Sequence, residues 1–266
     1  MDRVLSRQNP LVKRFRDVAR GGLDGQILLD GEHLIAEALA SAVMIDVAAV
    51  GERLARSALV ERMQRDRTRV VLVSESVLRA MSPVQAPSGI VAIGRTRRMT
   101  VDEVMAGRPA LVLMLHDVQD PGNVGALVRA TEACGGTGVI CSERTADPFG
   151  WKALRGSMGS ALRLPLAADV RLADAIVKAR AHGLRMFATT VRDGTLLPAC
   201  DLRPPAAILL GSEGAGLPEE VVEMADVRIT IPMRRPVESL NVAVAGALVL
   251  YEAARQRDRQ SGDVAL

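Results

Sequence analysis

Cysteine and histidine are scarce in this chain, which contains three of each. Cys134, Cys141 and Cys200 are scattered and form no CxxC pair. Such an odd set is typical of reduced thiols in a cytosolic protein and argues against a disulfide framework. With so few ligand side chains, a structural zinc site is not expected either. The sequence therefore predicts a cytoplasmic protein that binds no metal.

Long apolar runs are absent too. No stretch reaches the roughly 18 residues that a membrane-spanning helix needs. The first residues, MDRVLSRQNPLVKRF, are charged from position 2 and have no apolar core, so no signal peptide is predicted. The composition is otherwise ordinary for a globular protein, and 266 residues are enough for one large or two modest domains.

Lysine is rare, since 31 of the 34 basic residues are arginine. Arginine suits bidentate phosphate contacts, but such a bias over a whole chain more often reflects genome composition. The formal net charge is +3, while residues 1–100 carry 16 basic and 11 acidic side chains. This basic first part is a modest indication of an anionic partner such as RNA.

Short apolar segments alternate with helix-like segments, which predicts α/β architecture throughout. The charged segment RTRRMTVDEVMAGRP lacks a sustained apolar face and predicts a linker. We therefore divide the chain into a domain of residues 1–96, a linker of residues 97–108 and a second domain of residues 109–266. The strands predicted in the first domain are 27–29, 43–50, 70–73 and 90–93, with helices at 33–40, 54–63 and 75–81.

The apolar runs of the second domain are continuous, as in parallel strands that are covered on both faces. The last predicted helix, Leu240 to Arg255, is apolar on nearly every side, which is typical of a helix buried against close neighbours or another subunit. The predicted strands of this domain are Leu111–Leu115, Gly138–Ile140, Arg185–Thr190, Ala207–Leu210 and Val227–Ile231, and its other helices include Val124–Ala133 and Leu172–His182.

Three strand-to-helix turns of the second domain have unusual compositions, and ligands bind beyond the carboxyl ends of strands in α/β sheets. HDVQDPGNVGALVRA offers Asn123 as a helix cap and places Arg129 two turns into the helix. LLGSEGAGLPEEV places Glu213 among three glycines that permit close approach to a ligand. IPMRRPVESLNVAVAGALVL offers Ser239 as a cap and leaves Asn241 unexplained.

The glycines of the second turn fall as GxxGxG and not as the GxGxxG of dinucleotide-binding folds, which argues against an oxidoreductase. In this order, the three turns resemble the motifs of the SpoU/TrmH family of RNA ribose 2′-O-methyltransferases. RGSMGSALRLPL supplies a fourth motif between the first two, and the resemblance covers roughly residues 108–257. The segments SRQNPLVKRF and LLDGEHLIAEAL resemble the small substrate-binding domain that often precedes this catalytic domain.

The resemblance implies a parallel-sheet catalytic domain with a deep trefoil knot of the SPOUT type, preceded by a small ribosomal-protein-like α/β domain. It also implies S-adenosylmethionine as the cofactor and a homodimer formed through the knotted domain. The cofactor-binding residues carried over from the family pattern are Leu210, Gly211, Gly216, Ile231, Met233, Leu240 and Ala243.

The resemblance places Asn123 and Arg129 near the transferred methyl group, with Glu213, Ser239 and Asn241 as the other catalytic positions. The family's favoured base is the arginine. Arginine keeps its proton at neutral pH, so it could instead hold the phosphate beside the target ribose and stabilise the developing alkoxide. Both roles remain open at this point.

By the same resemblance, the first domain recognises RNA, and Arg7, Lys13, Arg14 and Arg16 are candidate phosphate contacts. The few aromatic residues make base stacking a weak option, so we expect recognition of RNA shape and backbone with strong salt dependence. The separate first domain favours ribosomal RNA as the substrate. A transfer RNA methyltransferase and a catalytically inactive RNA-binding assembly factor are the alternatives.

Overall fold

A computed structural model describes residues 1–21 and 25–261 of the chain and divides it into two compact units. The first unit comprises Met1–Arg97 and Phe149–Arg163, and the second comprises Arg98–Pro148 and Leu164–Leu266. Residues 262–266, which end the predicted second domain, lie outside the described residues, as do residues 22–24 of the predicted first domain. The segment Phe149–Arg163 was assigned to the second domain from the sequence and belongs to the first unit instead.

The strands and helices are numbered in chain order. The strands are β1 (Asp2–Val4), β2 (Gln26–Asp30), β3 (Met44–Gly51), β4 (Arg69–Val73), β5 (Ile90–Arg95), β6 (Leu111–Leu115), β7 (Gly138–Ser142), β8 (Leu166–Val170), β9 (Arg185–Thr190), β10 (Thr195–Leu196), β11 (Ala206–Leu210) and β12 (Val227–Thr230). The helices are α1 (Pro10–Ala19), α2 (Glu32–Ala40), α3 (Ala58–Arg65), α4 (Glu75–Met81), α5 (Val101–Met105), α6 (Pro121–Ala133), α7 (Trp151–Ser157), α8 (Ser160–Arg163), α9 (Leu172–Ala181), α10 (Glu219–Glu223) and α11 (Val242–Ser261).

The first unit is built on a five-stranded mixed sheet with the order β1-β4-β3-β5-β2. β1, β4 and β3 are parallel, while β5 runs antiparallel to both β3 and β2. Helix α1 was not predicted from the sequence. Asn9 caps it by accepting a hydrogen bond from the backbone of Leu11, and its buried face carries Val12, Phe15 and Val18.

The second unit contains a seven-stranded sheet with the order β10-β12-β9-β11-β6-β7-β8. Every neighbouring pair in it is parallel, which confirms the predicted parallel α/β domain. All residues of the central strands β6 and β11 are buried, as their continuous apolar runs predicted. None of the helices that the structure describes is both long and apolar enough to cross a membrane.

The predicted linker is not structureless, because it contains helix α5. Thr100 and Glu103 form a capping box at its start, in which each side chain bonds the other residue's backbone. Val104 and Met105 on this helix are fully buried in the core of the second unit. This short helix was not predicted because the segment starts with charged residues, although the apolar side of the helix is buried.

Candidate active site

The carboxyl ends of four neighbouring strands lie side by side in the second unit. β11 pairs with β6 so that Leu210 is opposite Leu115, and β12 pairs with β9 so that Thr230 is opposite Thr190. β9 and β11 are also direct neighbours. The loops that follow these four strands therefore start from one edge of the sheet, where parallel α/β folds bind their ligands.

The loop after β6 leads into α6, whose cap differs from the predicted one. Asp120 is the cap, because its carboxylate accepts a hydrogen bond of 2.9 Å from the backbone N–H of Asn123. Pro121 occupies the first helical position, where a missing N–H costs nothing. Asn123 is thus the third residue of the helix, and its side chain is not used for capping.

The side chains of Asn123, Glu213 and Asn241 are linked by direct hydrogen bonds. Nδ2 of Asn123 donates to Oε1 of Glu213 over 2.7 Å, and Nδ2 of Asn241 donates to Oδ1 of Asn123 over 3.2 Å. These residues lie 90 and 118 positions apart in the chain. The three unusual turns of the sequence therefore meet at one point. We call these three hydrogen-bonded side chains the Asn–Glu–Asn chain.

The orientation of the Asn–Glu–Asn chain is set by the start of α11. Oδ1 of Asn241 accepts hydrogen bonds from the backbone N–H groups of Ala243 (2.9 Å) and Val244 (3.3 Å). Asn241, and not Ser239 as the sequence suggested, caps this helix. Because its oxygen is engaged in capping, only its amide nitrogen is left to meet Asn123. The nitrogen of Asn123 must then face the acceptor-only carboxylate of Glu213.

A cavity of about 190 Å³ opens beside these loops and is lined by residues that follow β9, β11 and β12. Glu213 and Ser239 of the predicted catalytic residues line it, whereas Ala243 does not and Ala245 does. Thr190 and Val191, at the end of β9, also line it and were not predicted, because the VRDGT turn carries no distinctive motif. The predicted cofactor residues that line the cavity are Leu210, Gly211, Gly216, Ile231, Met233 and Leu240.

The loop after β11 folds back on itself at Gly211. A Cβ atom on Gly211 would lie 2.1 Å from the carbonyl carbon of Gly216 and 2.3 Å from the backbone nitrogen of Leu217. Gly216 itself has a φ of +69° and pairs with Ser212 in an isolated bridge. Only glycine at position 211 permits this approach of two backbone segments at the cavity wall.

Arg129 is not hydrogen-bonded to the other predicted catalytic residues. It is exposed on α6 and makes no hydrogen bond or ion pair with any residue that the structure describes. It neither lines the cavity nor joins the Asn–Glu–Asn chain. A free guanidinium at this place is available to an anion in solution.

His116, to which the sequence assigned no role, follows β6 directly. Its backbone N–H donates to the carbonyl oxygen of Leu210 over 2.8 Å and so ties the first loop to the second. Its Nδ1 is buried without a hydrogen-bond partner among the described residues. Burial lowers the pKa of this imidazole; the negative charge of Asp117 opposes this shift, and the positive charge of Arg144 adds to it.

The four candidate RNA contacts of the first unit divide into two pairs. Arg14 donates to Asp46 over 2.6 Å and to Gln26 over 3.0 Å, and Arg16 donates to the carbonyl oxygen of Ala80 over 2.8 Å. Arg7 and Lys13 are exposed and have no such partner among the described residues. The first pair is thus engaged within the unit, and only the second pair is free to meet phosphate.

Two known protein families match this chain. Residues 110–251, more than half of the chain, match the SpoU rRNA Methylase family, and residues 12–92 match the MRM3-like substrate binding domain. The chain belongs to the SpoU rRNA methylase family. This SpoU methylase is therefore an RNA 2′-O-methyltransferase that uses S-adenosylmethionine, which confirms the predicted family, reaction and cofactor.

Similar proteins match over almost the whole of this SpoU methylase. An uncharacterized tRNA/rRNA methyltransferase of Synechocystis is 35% identical, over 96% of this chain and 94% of its own. The 23S rRNA (guanosine(2553)-2'-O)-methyltransferase RlmP of Bacillus subtilis is 30% identical, over 84% and 86%. The crystal structure of an AdoMet-bound rRNA methyltransferase from Sinorhizobium meliloti is 28% identical, with a TM-score of 0.86 over 96% and 97%.

The walls of the cavity in this SpoU methylase suit S-adenosylmethionine. Leu210, Ile231 and Leu240 offer apolar surface to a flat purine, and the glycines of the second loop offer backbone groups at close range. Glu213 is the one charged side chain among the lining residues. A single carboxylate complements the positive charge of a sulfonium.

Proposed function

We propose that this protein methylates a ribose 2′-hydroxyl of ribosomal RNA, with the Asn–Glu–Asn chain and Arg129 as its active centre. The observation that carries the proposal is the direct hydrogen bonding of Asn123, Glu213 and Asn241 beside a cavity lined by the predicted cofactor residues. Ribosomal RNA is supported by the named activities of the Bacillus and Sinorhizobium relatives, whose similarity extends over both units.

The cavity holds the cofactor through the predicted residues Leu210, Gly211, Gly216, Ile231, Met233 and Leu240. We include the predicted trefoil knot in this proposal, and the tight approach of Gly211 to Gly216 supports a compactly folded cofactor loop. When bound, S-adenosylmethionine supplies an electrophilic methyl group on a positively charged sulfur. Glu213 attracts that charge, while Asn123 holds the carboxylate in place.

The protein's main task is to hold the 2′-hydroxyl in line for attack, since such positioning can supply roughly 7–11 kcal/mol of the barrier reduction. Ser239 lines the cavity and offers a hydroxyl that can both donate and accept. Arg129 is exposed and makes no hydrogen bond or ion pair with the described residues, so its guanidinium is available to bind the phosphate beside the target ribose and to stabilise the developing alkoxide. The proton then leaves to water.

The role of Arg129 is tested by the dependence of methyl transfer on pH in the wild type and in Arg129→Lys. If arginine acts as a charged clamp, both proteins show rates that rise with the same slope toward high pH, and the variant is slower throughout. A change of slope in the lysine variant contradicts the clamp and supports a base at this position, because lysine loses its proton at lower pH than arginine.

A second copy of the chain is the expected partner of α11. Val244, Leu248 and Tyr251 are 49%, 42% and 64% exposed, and their spacing places them on one side of the helix. Three large apolar residues in a row on an exposed helix are typical of an interaction surface. We place the resulting homodimer in the cytoplasm, where the three free cysteines stay reduced.

The experiment that tests the proposed function uses purified protein, labelled S-adenosylmethionine and separate pools of unmodified ribosomal and transfer RNA. We expect label in 2′-O-methylribose of the ribosomal pool and its loss in Asn123→Ala. Label only in the transfer RNA pool overturns the choice of substrate. Cofactor binding without any label shifts the substrate to a ribosome assembly intermediate, and absence of both overturns the proposed active centre.

A further inference from the structure

The first unit has an open pocket between the turn that joins β2 to α2, the segment 84–88 and helix α7. Its volume of about 790 Å³ is in the range of small-ligand sites. Helix α7 lies in the segment that the sequence had assigned to the second domain, so this pocket could not be foreseen. Its lining includes Asp30, His33, Trp151, Lys152 and Arg155.

Trp151 is the only tryptophan of the chain. It is half-buried, since part of the indole packs against the apolar core of the first unit while the rest lines the pocket. A ring anchored in this way loses little conformational freedom when a ligand stacks on it. Aromatic rings of this kind are the platforms on which proteins stack the bases of unpaired RNA.

Lys152 provides a cation beside that ring. Its ammonium lies 5.6 Å from the centre of the indole, and the side chain is exposed. It forms no ion pair with any of the described residues. It is therefore free to turn toward a phosphate when a base takes its place over the ring.

The charged groups that line the pocket include two cations on α7, Lys152 and Arg155, and two carboxylates, Asp30 and Glu32. Burial raises the pKa of Asp30, whereas a hydrogen bond of 2.5 Å from the Ser82 hydroxyl and the charge of Arg155 oppose this rise. Glu32 and His33 are exposed at the start of α2. The cations on α7 thus face carboxylates on the opposite wall. A nucleotide is complementary to this arrangement. Its anionic phosphate can pair with the cations, and the N–H donors on its base edge can bond the carboxylates.

We propose that this pocket binds one unpaired nucleotide of the RNA substrate, with its base stacked on Trp151 and its phosphate paired with Lys152. The inference rests on the proposed RNA substrate and adds a recognition site in the first unit. A base within a duplex has both faces covered by its neighbours and cannot reach the indole, so the site selects single-stranded RNA.

The single tryptophan makes the pocket directly observable by fluorescence. Full-length protein is titrated with an unpaired RNA of ten nucleotides and, separately, with a blunt RNA duplex of equal length. We expect the unpaired RNA to quench the fluorescence of Trp151 and the duplex to leave it unchanged. Binding of the unpaired RNA without quenching, or equal quenching by both, overturns the proposal.

Lysine variants test the phosphate contact through the salt dependence of binding. Lys152→Gln is expected to reduce the slope of log affinity against log salt by about 0.7, the value of one phosphate contact to a single strand. Lys178→Gln is the matched control, since Lys178 is also an exposed lysine but is paired with Asp102 on the second unit. Equal slopes for the two variants overturn the role of Lys152.

Trp151→Ala is expected to weaken binding of labelled unpaired RNA by about 5- to 150-fold, the measured range for loss of one stacked base. Because Trp151 also packs on the core, Trp151→Phe is measured beside it and its thermal unfolding is compared with that of the wild type. The phenylalanine variant keeps an aromatic platform and should bind between the two. A folded Trp151→Phe that binds no better than the alanine variant contradicts stacking.

Failure of this inference is distinguishable from failure of the proposed function, because methyl transfer is measured separately on the wild type. Methyl transfer to RNA without quenching of Trp151 is compatible with the proposed active centre but contradicts nucleotide binding in the pocket. Quenching by unpaired RNA without methyl transfer supports nucleotide binding in the pocket but contradicts the proposed catalytic function.

Discussion

Replacing Gly211 by alanine should distort the cavity and weaken cofactor binding. Replacing Gly214 by alanine should leave both the cavity and cofactor binding unchanged. The added Cβ at position 211 would lie 2.1 Å from the carbonyl carbon of Gly216 and 2.3 Å from the backbone nitrogen of Leu217. Both atoms belong to the backbone, so no side-chain rotation relieves the overlap. At Gly214 a Cβ would meet nothing within 4 Å.

The size of the effect follows from the displacement that the loop must undergo. Ordinary contact begins at 3.4 Å, so the carbonyl carbon of Gly216 must move by about 1.3 Å from its distance of 2.1 Å. A misplacement of about 1 Å in an active site can lower the reaction rate by on the order of 100-fold. We expect a loss of the same order, about 100-fold, in the affinity of Gly211→Ala for S-adenosylmethionine. The strain should also cost about 1–3 kcal/mol of stability.

Isothermal titration calorimetry with S-adenosylmethionine measures the dissociation constant for the wild type and both alanine variants. Gly214→Ala is the control, because it makes the same chemical change in the same loop without the overlap, and it should bind within about threefold of the wild type. If Gly211→Ala binds as tightly as Gly214→Ala, the close approach of the two backbone segments does not shape the cofactor site.

Three further predictions concern the helix cap, the dimer and the first unit. Asn241→Asp should keep the cap of α11, and hence the thermal stability, but lower methyl transfer at least tenfold, because an aspartate cannot donate to Asn123; an active variant contradicts this. Leu248→Arg should sediment as a monomer, while Val177→Arg, on the exposed side of α9, should remain a dimer. Burial alone would raise the pKa of Asp46, but hydrogen bonds from two arginines outweigh it and hold the pKa below 3.8. The stability that Asp46 adds over Asp46→Asn should therefore be present above about pH 4 and disappear as pH falls through the lowered pKa, as urea unfolding at several pH values would show.

The buried strands of the second unit were predictable because a parallel sheet demands apolar residues on both faces. β6 and β9 have the predicted bounds, and β11 differs from its prediction by one residue. β8 was missed because only its first two residues are buried and the rest of LAADV is partly exposed. The two-residue strand β10, with both residues exposed, offers no apolar pattern at all.

The first unit was harder to foresee at its margins. The segment Phe149–Arg163 joins it from the middle of a region that otherwise belongs to the second unit. Sequence patterns report the periodicity of a helix but not the surface against which it packs. α7 has an apolar side in Ala153 and Leu154, but an apolar pattern alone does not indicate which core that side joins. The pocket around Trp151 was therefore beyond the reach of the sequence.

In the candidate site, the types of the polar residues were predictable from the sequence, but their individual roles were not. The structure links the predicted residues Asn123, Glu213 and Asn241 by hydrogen bonds, yet both helix caps were predicted at the wrong position. Asp120 and Asn123 are both good caps by type, as are Ser239 and Asn241, and propensity does not choose between such neighbours. The choice is made by tertiary contacts, since a side chain that caps its own helix is no longer free to reach across the site.

The side chain that caps α11 also orients the Asn–Glu–Asn chain. An isolated asparagine amide can rotate by half a turn and present oxygen or nitrogen to a partner. Asn241 is denied that freedom because two backbone N–H groups at the start of a helix hold its oxygen. The amide nitrogen of Asn241 therefore donates to the amide oxygen of Asn123, and the amide nitrogen of Asn123 donates to the carboxylate of Glu213. A stable helix start thereby sets the direction of every donor in the Asn–Glu–Asn chain before any substrate arrives.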